Sequence, residues 1–256
     1  MAFEFRLVKT ATDAAAARRL AREALWLREL GEVQSLEGQL PRLIEQGTDE
    51  SGRDFLVIGI QPGTGETRAF TNDHARFLAS LGKARFRVSE FEGAGGCQWL
   101  QRAIKDFEKE KFYAALAAAY SDCEAALLYW TGPYVLSQGD FAPWNIRTFG
   151  SQLFVFDWGQ ARAEASPLDD VLHYLMVQRA LRSRPIGVRF LRSAMRHAND
   201  FARQAYPEWT WRPRVIGALT LVYLLGAVMH HARQTGACDS SPYWRLLEQR
   251  STWMPE

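Results

Sequence analysis

Residues 137–146 read SQGDFAPWNI, which sets a glycine, an aspartate, a proline and an asparagine in one short loop that enters a strand-like run. Taken singly, such residues mark a turn, because they tolerate the backbone angles that turns need. The run beyond the loop gives them a second use. NIRTF and LFVFD read as two short strands joined by GSQ. With Ser151 at the centre of that turn, Phe149 falls opposite Leu153, Arg147 opposite Val155, and Asn145 opposite Asp157. Side chains directly opposed in such a ladder have Cβ atoms roughly 5 Å apart. An amide oxygen and a carboxylate at that separation suit a hard, oxygen-seeking cation such as magnesium. Asp140 lies on the loop entering the hairpin, a further carboxylate beside the proposed ligand pair. Phosphoryl transfer needs that division of labour: two oxygen ligands for the metal, and a separate aspartate to orient the attacking hydroxyl and accept its proton.

Near the N-terminus, FEFRLV reads as a strand with Phe3, Phe5 and Leu7 on one face and Lys9 on the same face. A helix comes next, capped by Thr12 or Asp13, with Ala16, Leu20, Leu27 and Leu30 at helical spacing. Glu23 falls inside that apolar stripe. A carboxylate there needs a cation, and Lys9 on the preceding strand is the candidate. LPRLIEQG and RDFLVIGI are two further strands joined by the turn TDESG, and QPGTG at residues 61–65 breaks the pattern as a hinge. Beyond it the chain reads as mostly helical to about Leu128, interrupted by EGAGG at 92–96, and as helical again from Pro167. The expected architecture is α+β: a small strand–helix–strand–strand lobe at 1–61, and a larger helical lobe at 62–256 that holds the hairpin.

The chain has 256 residues, 47% of them hydrophobic, which suits a globular protein with a sizeable core. A formal net charge of +2 supplies no field to draw the chain to nucleic acid or to a membrane surface, so neither is expected as a partner. Cys97, Cys123 and Cys238 form neither a disulfide framework nor a metal-ligand pattern, and a reducing cytoplasm fits them best. The N-terminus has no signal-peptide pattern. The apolar run at 217–229 is short for a bilayer span and reads as a buried helix.

With those residues in place, the chain resembles the aminoglycoside phosphotransferase and choline kinase group of kinase-like small-molecule phosphotransferases. QGDFAPWN is similar to the family's catalytic loop, VFDWG to its metal-binding segment, and PLDDV to the segment after it. RLVK and the helix with Glu23 resemble the lysine strand and the glutamate helix, and FLVIGIQPG the strand leading to the adenine hinge. The resemblance implies a protein-kinase-like two-lobed fold that uses ATP and Mg2+. It makes Asp140 the catalytic base and Asn145 and Asp157 the metal ligands. Lys9 would hold the nucleotide phosphates, positioned by Glu23, and the backbone at Ile58, Gly59 and Ile60 would meet adenine. Asp170 would brace the catalytic loop.

Two features depart from that pattern. Gln138 stands where the family usually has a histidine that braces the loop, and glutamine can both donate and accept in its place. A glycine-rich hairpin normally precedes the lysine strand, yet the lysine here is residue nine, so either the true start lies upstream or the N-lobe is curtailed. EGAGG reads as a surface loop rather than a replacement phosphate cradle. Residues 179–196 carry six arginines and no acidic residue; they read as a solvated helix face, and would favour a neutral or anionic acceptor if they lined the cleft. Trp209, Trp211 and Trp244 read as core before sugar platform. The expected function is ATP-dependent transfer of phosphate to a hydroxyl of a sugar, amino sugar or amino alcohol. The alternative is a non-catalytic kinase-like binding or regulatory module. Metal-assisted hydrolysis has no histidine cluster to support it.

Overall fold

A computed structural model describes residues 5–61, 69–150, 152–182, 184 and 186–255. The elements run β1 (Phe5–Thr10), α1 (Ala14–Gly31), β2 (Arg42–Thr48), β3 (Asp54–Ile60), α2 (Asn72–Ala84), β4 (Phe86–Glu90), α3 (Gly95–Lys105) and α4 (Tyr113–Leu127). They continue with β5 (Thr131–Ser137), β6 (Ile146–Phe149), β7 (Gln152–Val155), β8 (Arg162–Ala165), α5 (Asp169–Ala180), α6 (Val188–Ala205) and α7 (Pro213–Thr235). Two short helical turns, Trp244–Glu248 and Arg250–Trp253, close the described chain. The fold is α+β, as expected. Residues 62–65 of the expected hinge lie outside the described residues. The chain forms two compact units, Met1–Arg85 with Leu136–Arg162, and Phe86–Val135 with Ala163–Glu256.

In the first unit, β1, β3 and β2 form an antiparallel sheet in that order. Asp13 caps α1 by accepting the Ala16 N–H at 2.7 Å. The helix buries Glu23, Ala24, Trp26, Leu27 and Leu30, so the carboxylate does sit within the apolar face. The face of β1 differs from expectation. Phe5 is 58% and Leu7 38% exposed, while Lys9 farther along the strand reaches Glu23 of α1.

The β6–β7 hairpin corrects the expected register by one residue. Phe149 pairs with Gln152, Thr148 with Leu153, and Ile146 with Val155. Pairing Phe149 with Gln152 leaves a two-residue turn rather than a three-residue one, and Gly150 supplies the positive φ (60°) that tight turns favour. Asn145 therefore lies beside Phe156, whose N–H it accepts at 3.1 Å, and not opposite Asp157.

The second unit holds the sheet β4-β5-β8 and the longest helices. β4 corrects the reading of its region as helical: FRVSE is too short to declare itself, and pairing with β5 makes it a strand. α7 is long and apolar enough to cross a membrane by composition alone, yet 72% of its most apolar window is buried within the protein. Gly236, at φ 77°, ends it in a left-handed cap. α6 buries Leu191, Ala194, Met195 and Ala198 and exposes Arg189, Arg192 and Arg196. EGAGG is a seat for Glu164, whose carboxylate accepts the Gly95 N–H at 2.7 Å and pairs with Arg87 at 2.5 Å. A Cβ on Gly95 would stand 2.8 Å from that carboxylate. Trp211 is core, its indole N–H held by the Tyr206 carbonyl at 3.0 Å.

Candidate active site

Residues far apart in sequence converge in the first unit. Lys9 Nζ lies 2.8 Å from both carboxylate oxygens of Glu23 and 3.3 Å from Asp157 Oδ1. Glu23 is 1% exposed, while Lys9 keeps 22% and Asp157 50% of its side chain accessible. Desolvation pushes the Glu23 carboxyl above its usual range, opposed by the Lys9 charge and by a hydrogen bond from the Trp158 N–H. The buried glutamate thus fixes the lysine from below and the Asp157–Trp158 turn from the side.

That turn is held both by α1 and by the strand before it. Trp26 Nε1 donates to the Ala161 carbonyl at 3.1 Å, and Trp158, fully buried, donates Nε1 to Val155 O at 3.0 Å. Asp157 itself takes a left-handed backbone, φ 63° and ψ 68°. A non-glycine residue there is uncommon and costs of order 1–3 kcal/mol, so the surroundings must hold it. The kink sets the direction of the Asp157 side chain, which meets Lys9 at 3.3 Å.

Gln138 supplies much of that holding. Its Nε2 donates to Phe156 O at 3.2 Å and Asp157 O at 2.6 Å, while its Oε1 accepts the Asp140 N–H at 2.9 Å. One buried amide therefore ties the Asp140 loop to the Asp157 turn. Asn145, 5% exposed, donates Nδ2 to Asp140 O at 2.9 Å and Asp140 Oδ2 at 2.8 Å. With the nitrogen so engaged, Oδ1 is the amide atom for a hard cation, and the half-exposed Asp157 carboxylate supplies the charged partner. The donor set fits magnesium.

Several residues of the site were not read from the sequence. Gly139 has φ 84°, and a Cβ there would stand 2.2 Å from the Gln160 carbonyl, so only glycine fits. A glycine before the aspartate was the available signal. Phe141 is fully buried against Phe77 and His74 of α2, and nothing in the spacing of those residues foretold the contact. On β3, Ile58 and Gly59 face neighbours in both β1 and β2, whereas Ile60 lies past the end of β2. Asp170 is buried, 5% exposed, in the first turn of α5 in the second unit.

Comparison with known proteins bears on the family and the fold. A family model described as the phosphotransferase enzyme family matches residues 4–209. Among solved structures, a thermostable mutant of aminoglycoside phosphotransferase APH(4)-Ia in its apo form superposes with a TM-score of 0.58 at 15% identity, covering 96% of this chain and 84% of that one. The GDP complex of wild-type aminoglycoside 2'-phosphotransferase-IIIa gives a TM-score of 0.57 at 16% identity, covering 96% of this chain and 86% of that one. The gentamicin complex of APH(2")-IIa gives 0.56 at 16%, covering 96% and 84%. At such identities the likeness is one of fold, here the protein-kinase-like fold. No curated protein matches the sequence. A family match over most of the chain, together with this fold, makes the chain a member of the phosphotransferase enzyme family.

Proposed function

We propose that the chain is an ATP-dependent phosphotransferase acting on a hydroxyl group of a small molecule. The observation that supports this reading is the Lys9 ammonium held between Glu23 and Asp157, which joins β1, α1 and the Asp157 turn. In the reaction, the acceptor oxygen forms its bond to the γ-phosphorus as the bond to the β–γ bridging oxygen breaks. Asp140 accepts the proton that the hydroxyl loses. Asn145 Oδ1 and Asp157 would hold magnesium, which when bound neutralises charge on the phosphate oxygens. Lys9 binds the α/β-phosphates, and adenine meets the strand end at Ile60, where β2 no longer covers β3. Gln138 supports the loop. Three buried free thiols suit a cytoplasmic setting.

A second reading, a non-catalytic nucleotide-binding module, is favoured by Gln138, which stands where the family usually has a histidine.

The test is consumption of ATP and of GTP with magnesium, against a panel of sugars, amino sugars and amino alcohols. Asp140→Asn should keep nucleotide binding and lose on the order of 10²–10⁴-fold in turnover, the usual contribution of a general base. Asp157→Ala should lose the magnesium-dependent thermal shift with nucleotide. Wild-type turnover in Asp140→Asn would remove its assignment. Nucleotide binding without turnover on any acceptor would move the reading to the binding module.

A further inference from the structure

Phe141, the residue after Asp140, is fully buried in a box of rings on α2. Phe77 stacks on it at 5.8 Å with 7° between planes, and His74 meets it edge-on at 6.0 Å and 85°. His74 is itself fully buried and lies 5.5 Å from the Phe70 ring. It stands at the third position of α2 and completes a capping box with Thr71: its Nδ1 accepts the Thr71 N–H at 3.1 Å, with Thr71 Oγ1 2.8 Å from the same nitrogen. The usual residue for that arm of the box is glutamate or glutamine. A glutamate here would place a charge with no exposure beside two phenylalanines, at high desolvation cost. A neutral imidazole supplies the acceptor and an aromatic edge together.

The Asp140 backbone is therefore gripped on both sides. Gln138 Oε1 holds its N–H, and the next residue is locked into α2, the element after β3 in the chain. We propose that His74 is a positioning residue for Asp140, setting the loop through the Phe141 ring while it caps the helix that comes after the nucleotide-facing strand. This rests on the phosphotransferase reading of Asp140. The imidazole's burial, which lowers its pKa to about 4, keeps the ring neutral and fit for both contacts.

Two variants separate the ring from the cap. His74→Gln keeps the capping acceptor and removes the ring; His74→Phe keeps a ring and removes the acceptor. On the full chain, hydrogen exchange of residues 138–146 and magnesium–ATP consumption are measured beside nucleotide affinity by calorimetry. His74→Gln should quicken exchange at 138–142 and lower ATP consumption by roughly tenfold or more, since a misplacement of about 1 Å can cost on the order of 10²-fold. Nucleotide affinity should hold, and His74→Phe should restore both readouts. Wild-type exchange at 138–142 in His74→Gln would overturn the proposal, as would equal losses in the two variants. If the wild-type protein consumes no ATP with any acceptor, the phosphotransferase reading fails, and the exchange measurement still decides whether His74 orders the loop.

Discussion

Gln138 is occupied at both ends of its amide, donating to two carbonyls of the Asp157 turn and accepting from Asp140. A residue so used is set by geometry and carries no proton that titrates, so Gln138 links the Asp140 loop to the Asp157 turn without itself responding to pH. His74 is different. Desolvation lowers its pKa to about 4 from an ordinary 6.5, partly offset by the neighbouring Asp73. Because the folded value is the lower one, the unfolded chain takes up the proton first as acidity rises. The stability at stake is complete above pH 6.5 and is lost as pH falls towards 4, by about 3 kcal/mol across that window. Denaturant unfolding measured from pH 4 to 7 should show this slope in the wild type and a flatter one in His74→Gln. Identical slopes would mean that the imidazole is protonated alike in both states.

The loop and the hairpin set the site at the level of elements. Gly139 and Gly52 both adopt left-handed backbone, with φ 84° and 80°. A Cβ at Gly52 would meet nothing within 4 Å, whereas at Gly139 it would stand 2.2 Å from Gln160 O. Gly52→Ala should therefore cost about 1–2 kcal/mol, the left-handed penalty alone. Gly139→Ala should cost distinctly more and also lower magnesium-dependent nucleotide binding, because Gln160 comes directly after the Asp157 turn. Equal stability losses would show that the loop relaxes around the added methyl. The hairpin carries the complementary lesson. Its register departs by one residue from the one that would oppose Asn145 and Asp157, and Asp157 leaves the ladder in a left-handed backbone.

Across the whole molecule, charge is nearly balanced but unevenly placed. The arginines of residues 179–196 include an exposed stripe on α6, on the side away from Leu191 and Ala198. Arg179 lies over the Phe190 ring at 4.5 Å, which helps to fix the start of that face. Reversing Arg189 and Arg196 to glutamate should change stability by less than about 0.5 kcal/mol, as surface substitutions do, and leave nucleotide turnover unchanged. Kinetics on an identified acceptor check this. A rise in KM confined to anionic acceptors would instead give the stripe a part in acceptor recognition.

Those parts of the site that are local, or that rest on simple pairing, are legible in short patterns of residues. The loop with Asp140 and Asn145, the Asp157 turn, and the α1 carboxylate with its strand lysine all belong here. A buried charge demands a partner, so Glu23 pointed to Lys9 without coordinates. The short apolar strands and the long buried α7 were likewise written in composition and periodicity. The remainder came from contacts between distant segments. The hairpin register turned on a single residue in the turn, a difference too small for strand pattern to settle. β4 became a strand through β5, and EGAGG became the seat of a glutamate distant in sequence. The His74–Phe141–Phe77 box is made by packing between elements with no shared spacing, and packing is specified by shape rather than by pattern.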